Sequence, residues 1–194
     1  MTTQSDDEQQ SGSARQRLLD AADELFYAHG INATGVDAVI TAADVARMTF
    51  YRHFRGKDDL VIAYLEGRDV RWRATLDEAI ANAGTDSRAQ LLAFFDALKT
   101  WHGDPRFRGC PFANAAAEFP GPDHPARAVV AAHKQAVQQR MTEIANNVPH
   151  TAPNLLVDQL MMLYEGATTT QALGVVTRAA DKARATAAQL IYTG

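Results

Sequence analysis

Between positions 47 and 57 the chain carries Arg47, Arg52, Arg55 and Lys57, with His53 among them and no acid. Guanidinium and ammonium groups neutralise phosphates, and arginine also pairs with the O6 and N7 edge of guanine. The formal net charge of the chain is −4, which as a sum argues against a nucleic-acid binder. The distribution matters more than the sum. Residues 113–194 hold six Lys/Arg and six Asp/Glu, so positive charge is concentrated at positions 47–57. No comparable signal points to catalysis. His29, His53, His102, His124, His133 and His150 lack metal-ligand spacing such as HExxH, and nucleophile elbow, phosphate loop and strongly spaced carboxylate pair are missing. Neither an enzyme nor a metal or other cofactor is expected.

Helices must position the basic segment. The 194 residues are 46% hydrophobic and 22% charged, a soluble globular balance rich in helix-favouring alanine. A polar tail, expected disordered, covers residues 1–13. Leu18, Ala22, Leu25 and Phe26 recur at helical spacing, predicting a first helix from about 13 to 29 that Gly30 ends. Thr34 is placed to cap a second helix over 35–41. Residues 42–45 make a turn, and a third helix covers about 46–54. Three short helices with tight turns make a helix-turn-helix unit, whose last helix enters the major groove. Phe50 and Phe54, four apart, face the core. Arg47, Met48, Thr49 and Arg52 then lie nearer the groove, while Tyr51, His53 and Lys57 suit phosphate contacts. Tyr51 and His53 also read as packed structural groups, Met48 as a cover for the core, and Arg15 and Arg17 as solvated surface or phosphate contacts.

This head resembles the DNA-binding signature of the TetR family of bacterial repressors. The resemblance covers roughly residues 15–65 and is most specific in TFYRHFRGKDDL, residues 49–60. LLDAADELFYAHG, residues 18–30, resembles the family's first helix. Asp44 stands where the family commonly has glycine, Ala46 where a serine or threonine often caps the recognition helix, and Met48 where a small residue is frequent. The resemblance implies an all-α, nine-helix homodimer reading a palindromic double-stranded DNA operator. Thr34, Arg47, Met48, Thr49, Tyr51, Arg52, His53 and Lys57 are the expected DNA-binding residues. It also implies a body, residues 57–194 beside a head of 14–56, that takes a small molecule and thereby releases the DNA.

The rest of the chain reads as six helices: 57 to about 81, 87–102, a short one from 111, 126–147, 153 to about 174, and 177–191. A ligand cavity in such a body is mainly apolar with a few polar groups. Its candidates are Trp72, Phe94, Phe95, Leu98 and Trp101, then Cys110, Phe112, Asn114 and His133, and Met161, Met162, Tyr164 and Glu165. The apolar members read equally well as core, and Glu165 as either a ligand contact or the partner of an arginine. GCPFANAAAEF, residues 109–119, resembles a segment in one branch of these regulators and places Glu118 near the pocket as well. Cys110 beside Arg106 or Arg108 reads as an oxidant or electrophile sensor, or as an inert buried thiol. The last two helices offer a dimer seam of Leu156, Leu160, Leu163, Ala167 and Gly174 with Ala179, Ala183, Ala187 and Leu190, which also fit a monomer core. A helical adaptor and a regulator without inducer are the other readings. No apolar run spans a bilayer and no export signal is evident, so a cytoplasmic protein without a membrane partner is expected.

Overall fold

Helix formation follows the apolar spacing. In the computed structural model, which describes the backbone of residues 3–193 and the side chains of residues 13–193, nine helices run in the order α1 (Thr3–His29), α2 (Val36–Ala42), α3 (Arg47–His53), α4 (Lys57–Asn82), α5 (Ser87–His102), α6 (Pro111–Glu118), α7 (Pro125–Ala145), α8 (Pro153–Ala172) and α9 (Ala179–Thr193). No strand occurs among the described residues. The all-α, nine-helix expectation is met. The first helix, expected from about residue 13, begins at Thr3, and the side chains of the tail expected over 1–13 lie, except for Ser13, outside the described residues.

The helices gather into two compact units, residues 1–68 with 111–130, and residues 69–110 with 131–194. These units do not share the boundary drawn at residue 57: the first part of α4 and the whole of α6 pack with the helix-turn-helix. In the first unit, α1 buries Ala14, Leu18, Ala22 and Phe26. Leu25, expected on the same face, is half-buried. Phe26 meets Tyr64 edge-to-face at 5.5 Å, and Arg68 pairs with Asp23 at 2.7 Å while lying 4.0 Å over the Tyr27 ring. Gly30 has a φ of 91°, and its N–H reaches the Phe26 carbonyl at 3.0 Å. That left-handed turn ends α1 as the sequence implied.

In the second unit α9 packs on α5 and α8. The core is aromatic and aliphatic, with Phe94, Phe95, Leu98, Met141, Leu156, Leu160 and Ile191 fully buried. Small residues on α9, Ala179, Ala183 and Ala187, are buried there too and allow α9 to approach its neighbours closely. This corrects the dimer seam. Leu156, Leu160, Ala167, Ala179, Ala183 and Ala187 lie inside the chain's own core, because one helical stripe cannot face both its own bundle and a partner. Leu163 and Leu190 are half-buried and Gly174 is exposed.

Candidate nucleic-acid interface and body cluster

The recognition helix is anchored from inside. Phe50 is fully buried and Phe54, its C-cap, nearly so; their rings lie 5.7 Å apart. The i, i+4 spacing that turns these two inward leaves Tyr51 and Arg52, about 100° and 200° round the helix from Phe50, facing outward. Met48 is 71% exposed and Tyr51 46% exposed, while Arg47 and Arg52 are exposed and Thr49 and His53 half-buried. Met48 therefore does not cover the core. Arg47 pairs with Asp37 of α2 at 2.9 Å, both side chains open to solvent, and its guanidinium lies 6.0 Å over the Tyr51 ring. Arg52 donates to Thr49 Oγ1 at 2.9 Å. The outer face of α3 thus presents two guanidiniums, a thioether, a hydroxyl and a phenol together. Arg55, the third arginine of the segment, is held by Asp59 at 2.8 Å.

Two expectations at the ends of α2 and α3 meet the structure differently. Thr34 does not cap α2: Gly35 is the N-cap and no side chain bonds there. The Thr34 hydroxyl instead donates to the Gly30 carbonyl at 2.8 Å, and the residue is buried. Its role is to fasten the link behind α1. For α3 the expectation of a missing cap holds, since Ala46 sits at the N-cap with extended geometry and no side-chain bond. Asp44, in the turn, has a φ of 50°, the left-handed conformation that glycine adopts at less cost. Arg17 stabilises that turn: its Nε donates to the Ala43 carbonyl at 3.0 Å and an Nη to the Asp44 carbonyl at 3.4 Å. Sequence reading had Arg17 as surface or a phosphate contact, and no spacing rule links it to a turn 26 residues on.

Lys57, at the start of α4, reaches the Asn32 carbonyl with its Nζ at 3.5 Å. The α1–α2 link is held a second time by Glu118, the last residue of α6. Its carboxylate accepts from the Ile31 N–H at 2.9 Å and from the Asn32 N–H, and its carbonyl accepts from the Asn32 side-chain amide at 3.1 Å. Glu118, expected near a ligand pocket, is a clasp on the helix-turn-helix unit. Phe112, buried, and Asn114, exposed, belong to this same unit.

The second unit brings together most of the polar side chains singled out for a ligand site. The Trp72 indole N–H donates to the Tyr164 hydroxyl at 2.8 Å. Burial, reinforced by Cys110 and Glu165, pushes the Tyr164 phenol well above its usual range against the Trp72 bond, so it stays neutral. Lys134 donates to Glu165 at 2.6 Å and lies 3.4 Å from the Cys110 sulfur. Burial opposes the Lys134 charge, yet Cys110 and Glu165 hold its ammonium above the ordinary lysine range. His133 is buried and 2.7 Å from Asp69, which also pairs with Arg73 at 2.8 Å. Burial lowers the His133 imidazole despite Asp69. Burial also acts to raise Asp69, but Arg73 and His133 together hold it below the usual carboxylate range.

Asp69 reads from the sequence as a surface or interhelix salt-bridge group and bridges α4 to His133 of α7, whereas Lys134 was missed because nothing in local spacing distinguishes a half-buried charge on a helix from a solvated one. Glu165 meets a lysine where an arginine was considered. The cation at Cys110 is Lys134, whereas Arg106 pairs with Asp104 at 3.1 Å and Arg108 donates to the Phe107 carbonyl at 3.1 Å. The oxidant-sensor reading is therefore corrected: the thiol is half-buried and its ammonium neighbour is engaged by Glu165. Phe94, Phe95 and Leu98 are fully buried core. Met161 is half-buried against that core, and Met162 is 66% exposed, turned away from any internal site. Among the described residues no three His, Cys, Asp or Glu side chains are grouped to hold a metal, and no helix is long and apolar enough to cross a membrane.

A helix-turn-helix unit with a basic outward α3, joined to an all-helical body, defines a class of DNA-binding regulators. Residues 18–64 match the family described as bacterial regulatory proteins, tetR family. Residues 87–187 match the tetracyclin repressor-like C-terminal domain. The chain is 34% identical to a TetR-family transcriptional regulator from Streptomyces coelicolor, superposing with a TM-score of 0.87 over 94% of this chain and 96% of that one. It is 26% identical to the transcriptional regulator AcuR of Cereibacter sphaeroides, over 79% of this chain and 74% of the relative. A TetR transcriptional regulator of Chloroflexus aurantiacus, 20% identical, shares the fold with a TM-score of 0.82 over 94% and 96% of the two chains. The chain belongs to the TetR family of bacterial transcriptional regulators, a family of DNA-binding proteins and not of enzymes.

Proposed function

We propose that this protein is a homodimeric repressor that binds a palindromic operator and releases it when a small molecule enters the second unit. The observation that carries this reading is the outer face of α3. Arg47, Met48, Thr49, Tyr51 and Arg52 are displayed on a helix whose opposite side is pinned by Phe50 and Phe54. Arg47, Met48, Thr49 and Arg52 take the base edges; Tyr51, His53 and Lys57 take phosphates. Thr34 contributes by fixing the α1–α2 link. Docking releases Arg47 from Asp37, an exposed pair that costs little to break.

A palindrome needs a symmetric reader, with two recognition helices about 34–36 Å apart for half-sites one turn apart. A surface stripe along α8 and its C-cap, Leu173, suits the second copy. Leu155, Met162 and Leu173 are 56%, 66% and 70% exposed, and at 100° per residue they project within about 20° of one another. Val175 and Tyr192 are exposed as well. The polar network of Trp72, Tyr164, Lys134, Glu165, His133 and Asp69 supplies hydrogen-bonding groups for an effector. Such an effector acts by binding better to the arrangement that cannot span the operator.

The test is selection of genomic DNA fragments by the purified protein, followed by binding measurements on the selected sites and on random DNA. Arg47→Ala is expected to weaken the selected site by about 1–3 kcal/mol and relax its sequence preference. Lys57→Ala is expected to weaken both DNAs alike and lower the salt slope by about one. Equal affinity of the parent protein for selected and random fragments would overturn the reading.

A further inference from the structure

The two tryptophans of the chain stand together. Trp72 on α4 and Trp101 near the end of α5 have ring centroids 5.1 Å apart at 50°. Phe107, from the loop between α5 and α6, meets Trp101 edge-on at 5.0 Å and 88°. Its other ring neighbour is His102, 4.7 Å away and itself 5.9 Å from Trp101. All four side chains are half-buried within the second unit. Yet both ring nitrogens of His102 are closed off from solvent and have no hydrogen-bond partner.

Such an imidazole is an anomaly to be explained, because buried polar groups are almost always bonded. Burial pushes it down to about 4, so at neutral pH it offers one N–H donor and one lone-pair acceptor, both idle. Phe107 packs against His102 but brings no polar atom. A ring of the same shape that also carried a hydroxyl would make the same aromatic contacts and bond the imidazole. Phe107 is free to yield in a way the helix residues are not. It belongs to a turn closed by its own N–H on the Asp104 carbonyl at 2.8 Å, and its side chain can swing out without breaking a helix.

We propose that Trp72, Trp101 and His102 form a subsite for a neutral planar molecule bearing a phenolic hydroxyl, which displaces Phe107 and hydrogen-bonds to His102. The subsite rests on the reading of the chain as an effector-responsive regulator and names the chemical class of the effector. The neutral state of the imidazole selects against carboxylates: a neutral hydroxyl can both donate and accept here, whereas an anion would enter an aromatic site with no opposite charge on the ring it meets.

Both tryptophans report on this one place, so their emission is a direct probe. Phenol is titrated into the full-length protein, with toluene and benzoate in parallel, and calorimetry separates binding from collisional quenching. Saturable phenol binding about tenfold tighter than toluene is expected, from the one hydrogen bond gained, with benzoate weaker than phenol. His102→Phe keeps the ring and should erase the preference for phenol over toluene. Phe107→Ala opens the space in advance and should tighten phenol severalfold. These opposite shifts, in variants whose helicity and melting match the parent, are not produced by loss of packing alone. No saturable phenol binding, unchanged phenol preference in His102→Phe, or no tightening in Phe107→Ala overturns the subsite. Release of operator DNA is measured beside it on a panel of small molecules. Release by a non-aromatic effector without phenol binding overturns the subsite and leaves the regulator reading standing. Phenol binding while no compound releases DNA supports the subsite and overturns effector control.

Discussion

The residue scale decides how the chain titrates. With the His102 imidazole lowered from 6.5 to about 4, the unfolded chain binds a proton between those values and the folded one does not. The contribution to stability is complete above about pH 6.5 and is lost progressively as pH falls toward 4. His133, also lowered by burial, acts in the same direction. The urea midpoint is therefore expected to fall between pH 6.5 and 4, and His102→Phe to flatten that fall while His133 leaves a residual slope. An identical pH profile in the variant would mean that His102 is not buried in its neutral form. None of this was legible in the sequence, where His102 was only one of six histidines without metal spacing. The exposed residues of α3 proposed to read DNA could be picked out because their signal is local. Phe50 and Phe54 are four apart, so Tyr51 and Arg52 must turn outward while His53, three residues from Phe50, stays half-buried at the edge of that face. Thr34 shows the limit of that logic: a threonine before a helix looks like a cap, but here the Gly30 carbonyl receives its hydroxyl.

Among the elements, α3 is short and starts without help. Its seven residues are too few for a stable isolated helix, so tertiary anchors hold it. Ala46 has the extended backbone of an N-cap, at φ −70° and ψ 146°, and no side chain to use it. Ala46→Ser is expected to raise stability by about 0.5–2 kcal/mol, read as a higher urea midpoint with unchanged slope. If the serine brings no gain, another group already satisfies the free N–H groups of the first turn. Helix boundaries followed from periodicity and breakers, and α5 falls on residues 87–102 as read. Membership of a packed unit did not follow. That α6 sides with the DNA-reading unit depends on the Glu118 carboxylate meeting two backbone N–H groups 86 and 87 positions away, and no local pattern encodes such a pairing.

At the scale of the whole molecule, the sequence told that α8 and α9 are apolar but not which side each turns to solvent. Both sides of α8 carry leucines. Leu156 and Leu160 are fully buried, whereas Leu155 and Leu173 are left open, and only the packed bundle distinguishes them. If the open side is the homodimer contact, a charge placed at its centre must be desolvated on association. Met162→Glu puts that charge on a side chain that is 66% exposed in the single chain, so the fold of the protomer is expected to stand. The dimer is not, and light scattering behind size exclusion should show a single-chain mass of about half the parent's. Operator affinity should fall with it, because one head offers only one half-site, while weak binding to random DNA persists through the intact basic face of α3. A Met162→Glu protein that remains dimeric and keeps its operator affinity would remove this stripe from the interface and require another surface to supply the two-fold contact.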